Sequence, residues 1–196
     1  MGRTIRIATF TALALFLSME VVGVAAFAST PRLSAELLRV SQMPTGWSID
    51  NSSRGTGIGC LANILEPKSI RQTSHASVFF AGNGNIPVIE EALATFTNAK
   101  TAYKKIVTTL NSCKRISGTR GGVKGTGTVG QMSFPHYGSA SAAFSVSLVT
   151  QGMTIGEDVL IVRKGNVVMG IIEADVPPVD VSQFQGFAVK AFANVK

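Results

Sequence analysis

The sequence predicts an α+β domain in which a central antiparallel sheet of about six to seven strands packs against two main helices, with one disulfide. Apolar and polar residues alternate over residues 142–148, which is the two-residue period of a β-strand. Two strongly apolar runs meet at residues 164–166, a tight-turn signal that predicts a hairpin. Apolar residues at helical spacing over residues 97–113, and again after Asp180, predict the two helices.

The N-terminus has the pattern of a secretory signal peptide. A short basic region precedes an apolar run at residues 7–17, and Ala-Phe-Ala at residues 26–28 is an A-x-A cleavage pattern. We therefore expect a signal peptide at residues 1–28 and one secreted or cell-envelope domain at residues 29–196. The alternative is an uncleaved anchor, because the segment could cross a bilayer of about 30 Å. In that case this segment is the expected membrane contact.

The chain is basic, with a net charge of +7 from 18 Lys and Arg and 11 Asp and Glu. This balance favours acidic envelope surfaces or anionic lipid head groups as neighbours. The basic residues are scattered as pairs and singles, and no row of aromatic residues accompanies them. A nucleic-acid partner is therefore not expected.

Cys60 and Cys113 are the two cysteines of the chain. In an exported protein such a pair predicts one disulfide, because an oxidising compartment lets the bond persist. The alternative is a Cys2His2 metal site that adds His75 and His136, but the spacings contain no C-x-x-C or H-x-x-x-H pair. We expect neither a metal nor a cofactor.

The first predicted elements are a short helix and a hairpin. Residues 33–40 predict the helix, with Ser34 as its N-cap and a turn at residues 43–46 after it. Trp47 then opens a strand. Extended runs on either side of Gly-Asn-Gly-Asn at residues 82–85 predict the hairpin, because these residue types tolerate positive φ.

The helix predicted at residues 97–113 has one apolar face, formed by Ala99, Ala102, Tyr103, Ile106, Leu110 and Cys113. Cys113 on that face could join the helix to the segment that carries Cys60. The lysines of the helix point elsewhere, and they form either a solvated face or a basic docking surface. They are Lys100, Lys104 and Lys105.

Residues 125–130, GTGTVG, fit the glycine spacing of a dinucleotide-binding loop. Such a loop needs a helix that starts at its last glycine, whereas here Pro135 and Gly138 interrupt any helix and a strand pattern follows. No nucleotide site is expected. We interpret the glycines of this region as a flexible connection into the sheet; they are Gly118, Gly121, Gly122, Gly125, Gly127 and Gly130.

The C-terminal part predicts the centre of the sheet and its cover. The runs beside residues 164–166 are apolar on both faces, which indicates central, covered strands. Pro177 and Pro178 end the sheet, and the helix after Asp180 presents a phenylalanine stripe to it.

Three residues are candidate ligand contacts: Trp47, His136 and Tyr137. Trp47 anchors the first strand in the core or, alternatively, stacks on a sugar or lipid at a cleft rim. His136 lies in a turn with Tyr137, either as a hydrogen-bonded turn residue or as a ligand contact and pH-sensitive group.

No catalytic residues are predicted, since G-x-S-x-G is absent and neither cysteine is expected to be free. Glu90 and Glu91 are adjacent on a strand and point to opposite faces, so they cannot act as an acid and base pair. Glu173 and Asp175 share a face at a strand end, where we expect them to face solvent.

Several stretches resemble the PknH-like extracellular sensor-domain family of actinobacterial serine/threonine kinases and its stand-alone exported relatives. They are LLRVSQMPTGW, Gly59-Cys60, ATFTNAKTAYKKIVTTLNSC, FPHYGSASAAFSV and DVLIVRKGNVVMGIIE. The resemblance covers about residues 33–196 and implies an extracytoplasmic α+β domain with a cleft for a signal molecule or envelope ligand, and no catalysis. The family pattern has two disulfides, whereas this chain has cysteines for one.

These features predict an exported cell-envelope ligand-binding or sensor-like domain that is not an enzyme. Its expected partners are an envelope lipid, glycan or peptide, or an envelope protein. The alternatives are a partner-binding envelope protein without a small-molecule pocket and, third, a hydrolase.

Overall fold

The computed structural model describes residues 31–51, 58–62, 64–65, 67, 69–82, 86–120, 123–177 and 179–196. The predicted signal peptide and its anchor alternative lie outside these ranges, as do residues 83–85 of the predicted turn and Gly121 and Gly122. No helix within the described ranges is long and apolar enough to cross a membrane.

The described residues form one antiparallel sheet of eight strands in the order β1-β2-β3-β8-β7-β6-β5-β4. The strands are β1 Ser48–Ile49, β2 Gln72–Ala81, β3 Val88–Phe96, β4 Arg115–Arg120, β5 Val123–Met132, β6 Ala140–Thr150, β7 Met153–Lys164 and β8 Val167–Asp175. The helices are α1 Pro31–Glu36, α2 Ala99–Ser112 and α3 Val181–Asn194. This arrangement confirms the predicted fold class, with a somewhat higher strand count than expected.

The central position predicted for the last two strands is confirmed. β7 and β8 lie in the middle of the sheet and pair through Lys164 and Val167 across a tight turn at Gly165, whose φ is +60°. Side chains from both are buried on both faces of the sheet, because helices cover each face.

The sheet separates two hydrophobic cores. We call the surface below α1 and α3 the α3 face; its core includes Phe80, Ile89, Leu93, Leu160, Ile171, Phe184 and Phe187. The opposite surface, below α2, is the α2 face; its core includes Ile106, Leu110, Phe144, Val146, Ile161 and Val168. Successive residues of β7, such as Leu160 and Ile161, therefore belong to different cores.

The predicted disulfide is also confirmed. Cys60 in the short 3-10 turn Gly59–Leu61 is bonded to Cys113 at the end of α2, with a Cα–Cα distance of 6.3 Å. Both sulfurs are used in this bond, which rules out the Cys2His2 alternative. The bond ties α2 to the segment before β2.

The helix predicted at residues 33–40 is wrong in its bounds and in its cap. α1 is Pro31–Glu36, so Ser34 is an interior residue and not the N-cap; a separate 3-10 turn begins at Val40. Proline is favoured in the first helical turn, which suits the earlier start. The helix ends early because the backbone N–H of Leu38 donates to Glu91 on the sheet.

The glycine-rich region is mostly strand, which corrects its interpretation as a connection. Gly118 lies in β4, whereas Gly125, Gly127 and Gly130 lie in β5. A Cβ at Gly125 would come within 2.9 Å of Ile58 Cδ1, and one at Gly127 would collide with the carbonyl oxygen of Ser147. Gly125 and Gly127 thus allow the close approach of neighbouring segments, and Gly130 is followed by more strand.

Candidate functional site

Three carboxylates interrupt the apolar α3 face where β3, β8 and β7 run side by side. Asp158 of β7 lies directly opposite Glu173 of β8, and Glu173 lies opposite Ile89 of β3. Glu91 is two residues further along β3, and thus a diagonal neighbour of Glu173 on the same face. We call Glu91, Asp158 and Glu173 the acidic cluster.

The acidic cluster is buried. The exposed fraction is 0% for Glu91 and Glu173 and 5% for Asp158. Glu91 Oε2 accepts a hydrogen bond of 2.6 Å from the backbone N–H of Leu38, and Glu173 Oε1 accepts one of 2.5 Å from Gln183 Nε2 of α3. The cluster therefore connects the sheet to the two segments that cover it.

One oxygen of each carboxylate has no hydrogen-bond partner among the described residues. These atoms are Glu91 Oε1, Asp158 Oδ2 and Glu173 Oε2. A buried acceptor without a donor is unfavourable, and a buried carboxylate without a counter-charge more so. Such an arrangement favours protonation of the carboxyl groups.

This buried environment raises the pKa values of all three carboxyl groups. Burial raises the pKa of Glu91 to about 7, against the opposing effect of the Leu38 hydrogen bond. Burial also raises the pKa of Glu173 to about 7; the Gln183 hydrogen bond lowers it, and the charges of Asp158, Asp175 and Asp180 raise it further. The pKa of Asp158 is raised by burial as well. The facing pair Asp158 and Glu173 can thus hold a proton near neutral pH.

The expectation that Glu173 faces solvent is wrong. Asp175 is half-buried and accepts a hydrogen bond from the N–H of Val176, but Glu173 lies beneath the first turn of α3. Asp180 is the N-cap of that helix and accepts from the backbone N–H groups of Ser182 and Gln183. This cap begins α3 early enough to cover the end of β8.

A sequence signal for the acidic cluster does exist. Each carboxylate occupies the same alternating positions as core residues of its strand, as Glu91 does between Ile89 and Leu93. An acidic residue at such a position predicts that its own side chain is buried. It does not predict which other carboxylates lie beside it, because the strand register that brings them together is not visible in the sequence.

The predicted ligand contacts lie on two different flanks of α3. The ring of Trp47 is half-buried, 5.2 Å from the ring of Phe187. The ring of Tyr137 is 5.6 Å from that of Phe192 and 6.2 Å from that of Phe134. Both aromatic residues therefore pack against the same helix.

The two flanks are at opposite ends of the sheet. Trp47 lies against Gly82 beyond the end of β2, near the level of the Ala81, Val88 and Ala174 pairings. Tyr137 precedes β6, whose first residue pairs with Arg163 at the other end. His136 is exposed beside Tyr137. The structure brings His136 and Tyr137 together but not Trp47, and a small ligand would contact one flank.

Comparison with known proteins shows what this architecture is similar to. No protein-family model matches the chain, and no curated protein matches it. The fold is similar to the crystal structure of the extracellular domain of PknH from Mycobacterium tuberculosis, with a TM-score of 0.66 and 12% sequence identity. The match covers 85% of this chain and 96% of that chain.

The two proteins share a fold. This confirms the architecture that the sequence resemblance implied, over nearly all of the PknH extracellular domain. The cleft, the ligand and the sensing role implied by the same resemblance stay predictions.

Proposed function

We propose that this chain is an exported, extracytoplasmic ligand-binding or sensor-like domain without catalytic activity, and a relative of the PknH extracellular domain. The observation that carries the proposal is the fold, which matches 96% of that extracellular domain. The signal-peptide pattern of residues 1–28 supports the same location.

The disulfide gives independent support for an extracytoplasmic location. Cys60 and Cys113 are joined in the fold, and such bonds persist in oxidising compartments and are rare in the cytosol. Because both sulfurs are bonded, neither can act as a thiolate nucleophile. This supports binding in preference to hydrolysis.

The flanks of α3 are the proposed ligand contacts. Trp47 on one flank and Tyr137 with His136 on the other present aromatic surface that could stack on a lipid, a glycan or a peptide. The acidic cluster below the helix is too deeply buried to meet a ligand directly while α3 is in place.

The test begins with the protein exported by its native host. Intact-mass measurement should show cleavage after Ala28 and a mass that corresponds to oxidised cysteines. Mass spectrometry of an organic extract should then find a stoichiometric co-purified molecule. Free thiols in the product, or an uncleaved chain in the cytosol, would contradict the proposal.

Variants locate the contact. Trp47→Ala and Tyr137→Ala test the two flanks separately, with Tyr103→Ala, a half-buried aromatic residue on α2, as the matched control. We expect the co-purified molecule to be lost from one flank variant and retained in the control. Equal retention in all three folded variants would exclude the flanks of α3 as the site.

A second candidate function is the binding of an envelope protein. Several large apolar residues are exposed near one end of the sheet, led by Met153 at 60% and Val176 at 58% exposed; the others include Ile86, Val149 and Val181. Exposed apolar clusters mark protein contacts. Cross-linking in the native host that captures one protein partner, together with an extract that contains no bound molecule, would favour this function.

A further inference from the structure

The outward face of α2 carries positive charge only. Lys100, Lys104 and Lys105 are exposed, and the other exposed positions of the helix are uncharged; they are Thr101, Thr108, Thr109, Asn111 and Ser112. The opposite side packs on the sheet through Ala102, Ile106 and Leu110. The apolar side of this amphipathic helix is therefore already occupied, and its basic side faces outward.

This placement of lysines does not stabilise the helix. Lys100 lies in the first turn, next to the Asn98 N-cap, where the helix dipole disfavours a cation, and that turn contains no acidic residue. Lys100 and Lys104 are four residues apart, a spacing at which like charges repel. Within the described residues neither forms an ion pair. Lys105 donates to the hydroxyl of Ser69.

The surrounding chain is also basic. Residues 97–150 contain no aspartate or glutamate, and their basic residues are Lys100, Lys104, Lys105, Lys114, Arg115, Arg120 and Lys124. The acidic cluster, by contrast, lies on the α3 face. Along the chain, the lysines of α2 therefore have basic neighbours and no acidic ones from residue 97 to residue 150.

We propose that the outward face of α2, defined by Lys100, Lys104 and Lys105, docks on the surface of an anionic lipid bilayer. Lysine ammonium groups on flexible stems follow a diffuse negative surface potential, whereas specific phosphate recognition favours the planar fork of arginine. Lys100, Lys104 and Lys105 are all exposed and lie within about 8 Å along the axis of α2, so they can approach a flat surface together. This docking does not depend on the proposed ligand-binding function.

Sedimentation with lipid vesicles tests the docking. The full chain is mixed with phosphatidylcholine vesicles that contain or lack phosphatidylglycerol, at low and at high salt. The variant replaces Lys100, Lys104 and Lys105 with Gln, which keeps helix propensity. The matched control removes the same charge on the α3 side, at the exposed residues Arg39, Lys190 and Lys196.

We expect binding to the anionic vesicles to weaken roughly 100-fold in the α2 variant, since each lysine near such a surface contributes on the order of fivefold. The control should bind nearly as well as the native chain, and high salt should weaken both. The N-terminal segment is the same in every protein, so it contributes equally to all of them. Thermal unfolding checks that the variants are folded.

Three results would overturn the docking. One is an equal loss in the two triple variants, which would mean that only net charge matters. Another is an absence of preference for the anionic vesicles in the native chain. If that chain instead binds a soluble anionic polysaccharide through the same lysines, the partner is a glycan and not a bilayer.

Discussion

Asp158 on β7 lies directly opposite Glu173 on β8, and both carboxyl groups are buried beneath α3. Glu173 also accepts a hydrogen bond from Gln183 of that helix. Ionisation of this pair would place two negative charges on neighbouring strands in a buried site, without a described counter-charge. The stability of the α3 layer should therefore depend on proton uptake.

The free energy of unfolding should fall as the pH rises from about 4.5 to about 7. The pKa of Glu91 and of Glu173 is raised from 4.5 to about 7, so the folded state binds protons that the unfolded state has released in this window. The loss is on the order of 3 kcal/mol for each group, and it is absent below both pKa values. Urea denaturation across this pH range measures it.

The double variant Glu91→Gln with Glu173→Gln should flatten this pH dependence, because neither side chain can ionise. Glu90→Gln, one residue along β3 and on the opposite face, is the matched control and should keep the native slope. A stability that rises with pH through this window, or an unchanged slope in the double variant, would show that these carboxyls do not govern it.

Asp158→Asn should lower the pKa of Glu173. Among the charges that raise this pKa, that of Asp158 has the largest effect, followed by those of Asp175 and Asp180. Titration of the Glu173 carboxyl carbon by NMR should show a larger downward shift for Asp158→Asn than for Asp175→Asn. Asp50→Asn, beside the edge strand β1, should cause no shift; equal shifts in all three variants would contradict the cross-strand coupling.

Loss of the disulfide should destabilise the protein by about 4 kcal/mol in the loop-entropy description. Cys60 and Cys113 are 53 residues apart, so the bond restricts a long loop of the unfolded chain. Denaturation of Cys60→Ser with Cys113→Ser measures the loss, and reduction of the native protein should reproduce it. A doubly substituted chain as stable as the oxidised one would exclude a structural role for the bond.

Parts of the fold with a strong local pattern could be predicted from the sequence. The β7–β8 hairpin and α2 followed from apolar periodicity, and the disulfide from a pair of cysteines in an exported chain. β4, Arg115–Arg120, could not be recognised because its polar and glycine residues show no alternation. It becomes a strand through its pairing with β5, which is a tertiary effect.

The candidate site was less accessible to sequence reasoning for a related reason. Asp158 and Glu173 are 15 positions apart along the chain by their numbering, and only the register of β7 against β8 makes them neighbours. Burial of Glu173 further depends on the start of α3 at its Asp180 cap. Trp47 and Tyr137 could be recognised as exceptional residues, but their separation across α3 follows from the strand order.

The glycines of β5 should differ sharply in their tolerance of a methyl group. Gly127→Ala would force Cβ against the backbone carbonyl oxygen of Ser147 on β6. The backbone of Ser147 cannot move aside without disturbing the β5–β6 pairing. We expect a destabilisation of about 1–3 kcal/mol, as for overpacked cores. Gly130→Ala, in the same strand, is the matched control.

At Gly130 the nearest atom to an added Cβ is Ser145 Oγ, at 3.7 Å, which is ordinary contact. This variant should be neutral or slightly more stable, because alanine reduces the conformational freedom of the unfolded chain. Thermal and urea unfolding of both variants measure the contrast. Equal stability of the two would mean that Gly127 does not lie as close to β6 as the pairing requires, and that the sheet is wider spaced at this position.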